Sequence, residues 1–378
     1  MKILIGADLV PTKSNEMHFC NGDGVALVGQ ELYNLLNEAD YRIFNLEVPL
    51  TDTLTPIAKC GPALIAATKA VSGYKALGVD LLTLANNHIM DQGEQGLVST
   101  IQTLKENEIA YVGAGENLQT AQKSFVLERD GHRIGVYACA EHEFSIADTN
   151  VPGANPFDPL ESLDHIAELK KQTDYVIVLY HGGKEHYRYP SPMLQKICRK
   201  MIEKGADLVI CQHSHCVGCE EKYLNGTIVY GQGNFIFDDS NNEFWQTSLL
   251  VELTIEDDVT LTYHPLKKQG NTVRLAQGDE AESIIQDFYH RSEQIKDPNI
   301  ILERYGAFAE DMSNRYLTAM LGVNTKNIFF RVFNRLTGRK LWNWYLKTHF
   351  SKNKRLALRN YIECEAHREV ILFFLKER

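Results

Sequence analysis

A sheet-rich α/β sandwich carrying a helical C-terminal extension is the fold this sequence predicts, and three features predict it. Short, nearly continuous runs of Ile, Leu and Val recur through the first two thirds of the 378 residues. Such runs mark strands buried on both faces. Amphipathic helical stretches alternate with them, and hairpin turns interrupt the alternation. After about residue 275 the strand pattern stops and helical periodicity takes over.

The strand-like runs are Ile3–Ala7, Arg42–Leu46, Asp80–Leu84, Tyr175–Leu179, Leu208–Cys211 and Thr227–Tyr230. Val25–Asn37, Gly96–Glu106 and Met193–Lys204 read as the helices between them. Phe125–Arg129 and His132–Ala138 flank Asp130-Gly131, a dipeptide suited to the positive φ angles of a two-residue hairpin. Leu249–Ile255 and Val259–His264 form a second hairpin around Glu256-Asp257-Asp258, and Thr149–Pro159, with three prolines and a glycine, is a loop. Further on, Asp279–Ile295, Ile300–Leu321, Lys326–Leu336, Gly338–Phe350 and Lys354–Leu375 read as helices. The domain boundary is expected near residue 272, separating a body (1–272) from a helical, basic and aromatic C-terminal region (273–378).

The formal charge is −10, which disfavours general nucleic-acid binding, since phosphate contacts need clustered Lys and Arg. That total is uneven. Lys326–Arg378 holds 13 Lys and Arg against 4 Asp and Glu, so a surplus of nine positive charges sits on a chain that is otherwise −19. The opening MKILIGADLV suits a buried strand better than a signal peptide, and no apolar run reaches the roughly 18 residues of a membrane span. The eight Cys are expected to be reduced, and the protein cytoplasmic.

Ligands in open α/β sheets bind at the carboxyl ends of strands, and here those ends carry an unusual set. The first run ends at Asp8. The second passes Asn45 to Glu47. The third ends at Asn86-Asn87-His88, with Asp91 close behind. The fourth ends at His181, and the fifth at Gln212-His213-Ser214-His215. Carboxylates, an amide oxygen and imidazoles together suit divalent ions such as Zn, Mn or Fe. If the His213–His215 segment is extended, both rings point to one side. Singly, Asp8 reads as a cap, Asn86-Asn87 as a turn and His181 as a core histidine. Five strand ends with such groups in one chain exceed what capping produces.

The segments FNLEVPLT (44–51), LANNHIMDQGEQGL (84–97), YHGGKEHYRYPSPMLQ (180–195), GADLVICQHSHCV (205–217) and IVYGQGNFIFD (228–238) resemble, in order, the motifs of the CapA family of capsule and poly-γ-glutamate synthesis. That domain is in turn similar to calcineurin-like metallophosphoesterases. The resemblance covers roughly residues 1–270. It implies a four-layer α/β/β/α sandwich and a metal-dependent, phosphoesterase-like hydrolase of cell-surface polymer biosynthesis. The implied ligands of one or two divalent ions are Asp8, Glu47, Asn87, His181, His213 and His215. His88 would protonate a leaving oxygen, and Asp91 and Glu185 would orient histidines. Departures from the pattern are Val10 in place of a ligand His, Glu47 in place of a bridging Asp, Asn86 in place of Gly, and Cys211-Gln212 in place of Gly-His. The loss at position 10 weakens one of two metal positions, leaving two ions with altered geometry, one ion, or none held tightly. The alternative to an enzyme is a non-catalytic accessory that binds a polymer or a biosynthetic complex through the same cleft.

Further features have open readings. Arg188 could clamp a carboxylate or phosphate of an anionic small-molecule or polymer substrate, or be surface decoration. Asn45 and Asn234 are candidate substrate contacts, the latter in Tyr230-Gly231-Gln232-Gly233-Asn234, a loop whose glycines permit close approach to an anion. Cys216-Val217-Gly218-Cys219 could be a zinc or redox pair, or neither. The aromatic and basic tail could pack on the body, lie on an anionic membrane, or bind a partner or an anionic glycan.

Overall fold

The apolar runs form two sheets. The computed structural model describes every residue except 239, 240, 257, 324–326, 377 and 378. The first sheet runs, in spatial order, Thr272–Leu275, Val259–Gln269, Thr247–Ile255, Lys2–Val10, Tyr41–Asn45, Leu81–Thr83 and Ala110–Val112, with Asn234–Phe237 also pairing with Lys2–Val10. The second runs Glu220–Tyr223, Gly226–Val229, Leu208–Gln212, Tyr175–His181, His132–Ala140 and Phe125–Arg129. The central strands of both sheets are parallel; antiparallel strands close one edge of the first sheet and both edges of the second, while Ala110–Val112 closes the other edge of the first in parallel.

The strands are apolar on both sides because both sides are covered. Ile3, Ile5 and Ile43 share one core with Ile134, Ile177 and Ile210 of the second sheet. On the other face of the first sheet, Leu4, Phe44 and Leu82 pack with Leu27, Leu32 and Leu36 of helix Gly24–Glu38. On the other face of the second, Val176, Val178 and Val209 pack with Ile166 of Ser162–Lys170 and Met201 of Pro192–Glu203. The alternation Ile3/Leu4/Ile5 is the two-residue period of a strand dividing its side chains between layers. The result is the expected four-layer α/β/β/α sandwich.

Register brings the functional strand ends level. Asp8 stands opposite Asn45 on one side and Asn234 on the other, and Asn45 opposite Thr83. In the second sheet His181 stands between Gln212 and Ala140. The Asp130-Gly131 hairpin forms with both residues at positive φ, 51° and 81°. The second hairpin pairs Ile255 with Val259, while Asp257 of its turn lies outside the described residues.

The compact first unit ends later than the sequence suggests, at Leu302 rather than near 272. Helix Gly278–Gln294 accounts for the difference. Its Ile284 and Phe288 lie in the core between the sheets, with the Phe288 ring 4.8 Å from that of Tyr263. The buried Arg291 donates from Nε to the Gly218 carbonyl at 2.7 Å and from Nη2 to that of Val217 at 3.2 Å. An amphipathic repeat shows that a helix has a partner but not which one; here the partner is the core between the two sheets.

The second unit, Glu303–Arg378, is helical. Asn327 caps helix Ile328–Leu336 by accepting from the Phe329 and Phe330 amides; Lys326, the expected start, lies outside the described residues. In helix Lys340–His349, Trp342 meets the Phe330 ring edge-on at 5.0 Å and donates to Thr318 Oγ1 at 2.9 Å. The long helix expected over Lys354–Leu375 is two, Lys352–Glu363 and Glu365–Lys376, parted where Cys364 turns extended (φ −71°, ψ 117°).

Truncation tests the boundary. A chain ending after Leu302 should keep a cooperative thermal transition, whereas one ending at residue 272 loses Ile284 and Phe288 and should be insoluble or melt without a sharp transition. Equal melting of the two forms in circular dichroism would place the helix outside the folding unit.

Candidate metal centre

The strand ends of the two sheets meet in one buried cluster. Asp8, Asn45, Glu47, Asn87, His88, Asp91, His181, His213, His215 and Asn234 are all buried. Within it, His181 Nε2 lies 3.1 Å from Glu47 Oε1, 3.0 Å from Asn87 Oδ1 and 3.1 Å from His213 Nδ1. Donor atoms of a tetrahedral ion at the usual 2.0–2.2 Å bond lengths stand about 3.3–3.6 Å apart. A second group joins Asp8, Glu47 and His215, with His215 Nδ1 3.4 Å from Asp8 Oδ2. Glu47 belongs to both, so its two oxygens could bridge two positions. The donor atoms within each carboxylate–histidine group all lie within 4.8 Å of one another.

An orphan count supports a cation. Asp8 Oδ2 and both oxygens of Glu47 are buried without a hydrogen-bond partner. Unpaired buried carboxylate oxygens are costly, and a divalent ion would satisfy all of them. The residues present therefore fit a metal. The two positions are unequal. The one around His181 gathers four donors, Glu47, Asn87, His181 and His213. The other gathers three, Asp8, Glu47 and His215. Val10 supplies no fourth: it packs into the core on the helix side of the first sheet.

Neighbours aim these groups. Asn45 Nδ2 donates to Asp8 Oδ1 at 2.7 Å and lies 3.3 Å from His181 Nδ1, while its Oδ1 accepts from Thr83 Oγ1 and Asn86 Nδ2, each at 3.1 Å. Fully buried and fully engaged, Asn45 positions ligands rather than meeting substrate. Asn86 Nδ2 also donates to the Leu46 carbonyl at 2.8 Å and its Oδ1 accepts from the His88 amide at 3.1 Å, fastening the turn that presents Asn87 and His88. Asn87 Nδ2 donates to Glu143 Oε2 at 3.2 Å, which leaves Asn87 Oδ1 turned towards His181. His215 Nδ1 lies 2.8 Å from Asn234 Oδ1, so Asn234 serves the ligand set.

The paired histidines converge by a route other than the one expected. His213 and His215 have φ of 90° and 54°, so the segment is not extended. Both occupy left-handed conformations that cost a side-chain-bearing residue free energy. The turn sends each ring to a different position of the centre.

His88 stands beside the metal donors rather than among them. Its Nδ1 is 2.5 Å from Asp91 Oδ2. Asp91 accepts from Lys59 Nζ at 2.6 Å and from the Leu64 amide at 2.6 Å, and Lys59 also donates to the Asn87 carbonyl at 3.0 Å. The Lys59–Asp91 pair is nearly solvent-free, its side chains 3% and 0% exposed. Lys59 was not foreseen, because nothing in the Thr51–Ala66 loop pattern shows where its lysine folds back. Glu143 and Trp245 were missed for the same reason. The Trp245 ring lies 4.7 Å from that of His215, and its Nε1 donates to His186 Nε2 at 2.9 Å.

Other expected site residues have different work. Glu185 is exposed, and its charge is one of several that act on His213. Arg188 donates to the Val217 carbonyl at 3.3 Å and lies over the Phe244 ring at 4.7 Å, both contacts internal. In the Tyr230–Asn234 loop, Gln232 Nε2 donates to the carbonyls of Ile5 at 2.8 Å and Leu249 at 3.3 Å, so the glycines serve a buried crossing rather than an anion. Cys216 and Cys219 are buried free thiols, and among the described residues neither joins a cluster of three or more metal-binding groups. Burial pushes the Cys216 thiol up to about 11, against redox use at neutral pH.

Protonation follows from burial and charge. Burial pushes His181 down to about 4 and His213 well below its ordinary value, so both are neutral with lone pairs available. Burial alone would also lower His215, but the Asp8 carboxylate 3.4 Å away, Glu47 and the Asn234 oxygen hold it up at about 9. Burial, reinforced by Asp8, raises Glu47 well above the carboxylate range. Burial would likewise raise Asp8, yet the adjacent protonated His215 and the Asn45 amide carry it below its ordinary value.

Two outcomes are expected. Without metal, His215 holds a proton at neutral pH and must give it up to coordinate, so binding releases protons and affinity rises with pH towards 9; calorimetry in buffers of different ionisation enthalpy measures this. Unequal donor sets predict one tight and one weaker Mn²⁺ or Zn²⁺ equivalent, with the tight one lost in His181→Ala. Two equal affinities unaffected by that substitution would refute the asymmetry.

The family model described as bacterial capsule synthesis protein PGA_cap matches residues 13–239. The capsule biosynthesis protein CapA of Bacillus anthracis is 32% identical over 203 residues, covering 52% of this chain and 49% of that one. The PGA biosynthesis protein CapA of Bacillus subtilis (strain 168) is 32% identical over 206 residues, covering 53% and 51%. The chain thus spans about half the length of both relatives. Among solved structures, a novel phosphatase from Mycoplasma pneumoniae superposes with a TM-score of 0.46 at 15% identity, covering 71% of this chain and 94% of that one. No helix among the described residues is long and apolar enough to cross a membrane. Since the matched pattern takes in more than half of the chain and every strand end of the buried cluster except that of Asp8, the chain belongs to the bacterial capsule synthesis protein family PGA_cap.

Proposed function

We propose that the chain is a metal-dependent hydrolase acting on a phosphoester, or on another ester or amide bond, in the synthesis of a cell-surface polymer. One observation carries this reading: buried carboxylate oxygens without partners converge with neutral imidazole nitrogens on a shared centre. Glu47, Asn87, His181 and His213 would hold one divalent ion, and Asp8, Glu47 and His215 a second, with Mn, Zn or Fe matching the mixed oxygen and nitrogen donors. Bound there, such ions supply a Lewis acid and an activated water.

The remaining work falls to the chain's own groups. His88 is the proton donor to the departing oxygen. Asp91 holds its Nδ1, leaving Nε2 as the nitrogen that can hand over a proton. Lys59 and the Leu64 amide fix Asp91 in turn, so the imidazole keeps one orientation through the reaction. The anionic substrate would enter on the side where Glu143, Phe144, His186 and Trp245 remain at least partly accessible.

A second reading, an accessory that binds a polymer or biosynthetic complex without turnover, is favoured by one feature. With Val10 in the core, one position keeps only three donors. Turnover separates the two. With Mn²⁺, the protein should hydrolyse an aryl phosphate, and His88→Ala should lower kcat by roughly 10²–10⁴-fold while retaining bound metal. A fully loaded protein inert towards aryl phosphate mono- and diesters and peptide amides would favour the accessory.

A further inference from the structure

We infer that the second unit is a peripheral membrane-binding module that docks on an anionic lipid surface through short amphipathic helices. Helix Ile328–Leu336 presents Ile328, Phe329, Val332, Phe333 and Leu336 on one side, at i, i+1, i+4, i+5 and i+8, and all five are 43–82% exposed. Helix Lys340–His349 buries Leu346 while leaving Leu341, Trp344 and Tyr345 on an exposed face. In helix Glu365–Lys376 the run Val370–Leu375 is apolar throughout, each residue at least 40% exposed. Exposed apolar area on this scale signals an unmet partner.

Charge selects the partner. Arg331, Arg335, Arg339, Lys340 and Lys347 are exposed beside these faces, and among the described residues none forms an ion pair. Lys347, Lys352, Arg355 and Arg359 rim a groove of about 450 Å³ whose apolar surface includes Phe350 and Leu356. Cations at the edge of an apolar face match an anionic bilayer, where headgroup phosphates lie above hydrocarbon, and Trp and Tyr favour the boundary between them. A water-soluble acidic protein would satisfy the cations but not three separate apolar faces on short helices. The 12 residues of Glu365–Lys376 are too few to span a bilayer, so the attachment is interfacial. The rest of the chain is strongly acidic and repelled by such a surface. Binding therefore needs the positive surplus concentrated in Lys326–Arg378.

Vesicle flotation of the full chain tests this. The protein should float with vesicles of equal parts phosphatidylcholine and phosphatidylglycerol, about tenfold more than with phosphatidylcholine alone, and the difference should shrink as salt screens the cations. Trp344 fluorescence should shift to the blue on binding. Two double variants separate the contributions: Phe329→Glu with Leu336→Glu should abolish flotation, and Arg331→Glu with Arg335→Glu should remove the preference for anionic vesicles. All four positions are exposed, and circular dichroism checks that the helices persist. Absence of flotation, or flotation undiminished in both variants, overturns the inference. So does a dimer in light scattering that Phe329→Glu with Leu336→Glu dissociates while the parent ignores vesicles, since the faces would then belong to a second copy.

Discussion

Everything in the first unit answers to one electrostatic constraint. Carboxylate oxygens and neutral imidazole nitrogens are acceptors, and acceptors crowded together without water repel one another. The fold nevertheless delivers Asp8, Glu47, His181, His213 and His215 into two overlapping buried groups, the donor atoms of each within 4.8 Å of one another. In the metal-free chain protons soften the conflict: His215 pairs with Asp8, and burial keeps Glu47 inclined to hold a proton. A doubly charged ion relieves it more completely. The sandwich exists to hold these groups together, since two sheets packed face to face bring their parallel strand ends to one edge.

Much of this was legible in the sequence because it is local. Strands covered on both faces announce themselves as continuous apolar runs, so Ile3–Ala7 and Tyr175–Leu179 could be read directly, and the polar residue after each run marked where its chain leaves the sheet. Which ends would meet was not local. It follows from register, with Asp8 level with Asn45 and His181 level with Gln212. Asn45 shows the limit well. Its position at a strand end suggested substrate contact, and only the packed structure shows all its hydrogen-bonding capacity spent on Asp8, His181, Thr83 and Asn86. Lys59, Glu143 and Trp245 come from loops whose path depends on everything they rest upon, and no periodicity encodes that. The later end of the first unit was hidden for a related reason: the apolar stripe of Gly278–Gln294 looks the same whether it faces a sheet or another helix.

The centre also shows how one orienting network can serve two neighbours in sequence. Asn87 and His88 are adjacent but face different tasks, and Asn86 locks the turn between them to the Tyr41–Asn45 strand. Lys59 then touches both, through the Asn87 carbonyl and through Asp91. Leaving Asp91 buried without its ammonium partner would cost several kcal/mol. A disturbance of the Thr51–Ala66 loop would thus reach the metal donors and the proton donor together.

The left-handed backbone at His213 and His215 has a consequence for how such chains diverge. Glycine or asparagine would occupy those angles with less strain, so conformational preference alone pushes both positions away from histidine. Only the demand for imidazole opposes that drift. In a descendant freed from that demand, these two sites would be among the first to relax, and a Gly or Asn at either would be a fossil of abandoned coordination in an otherwise unchanged scaffold.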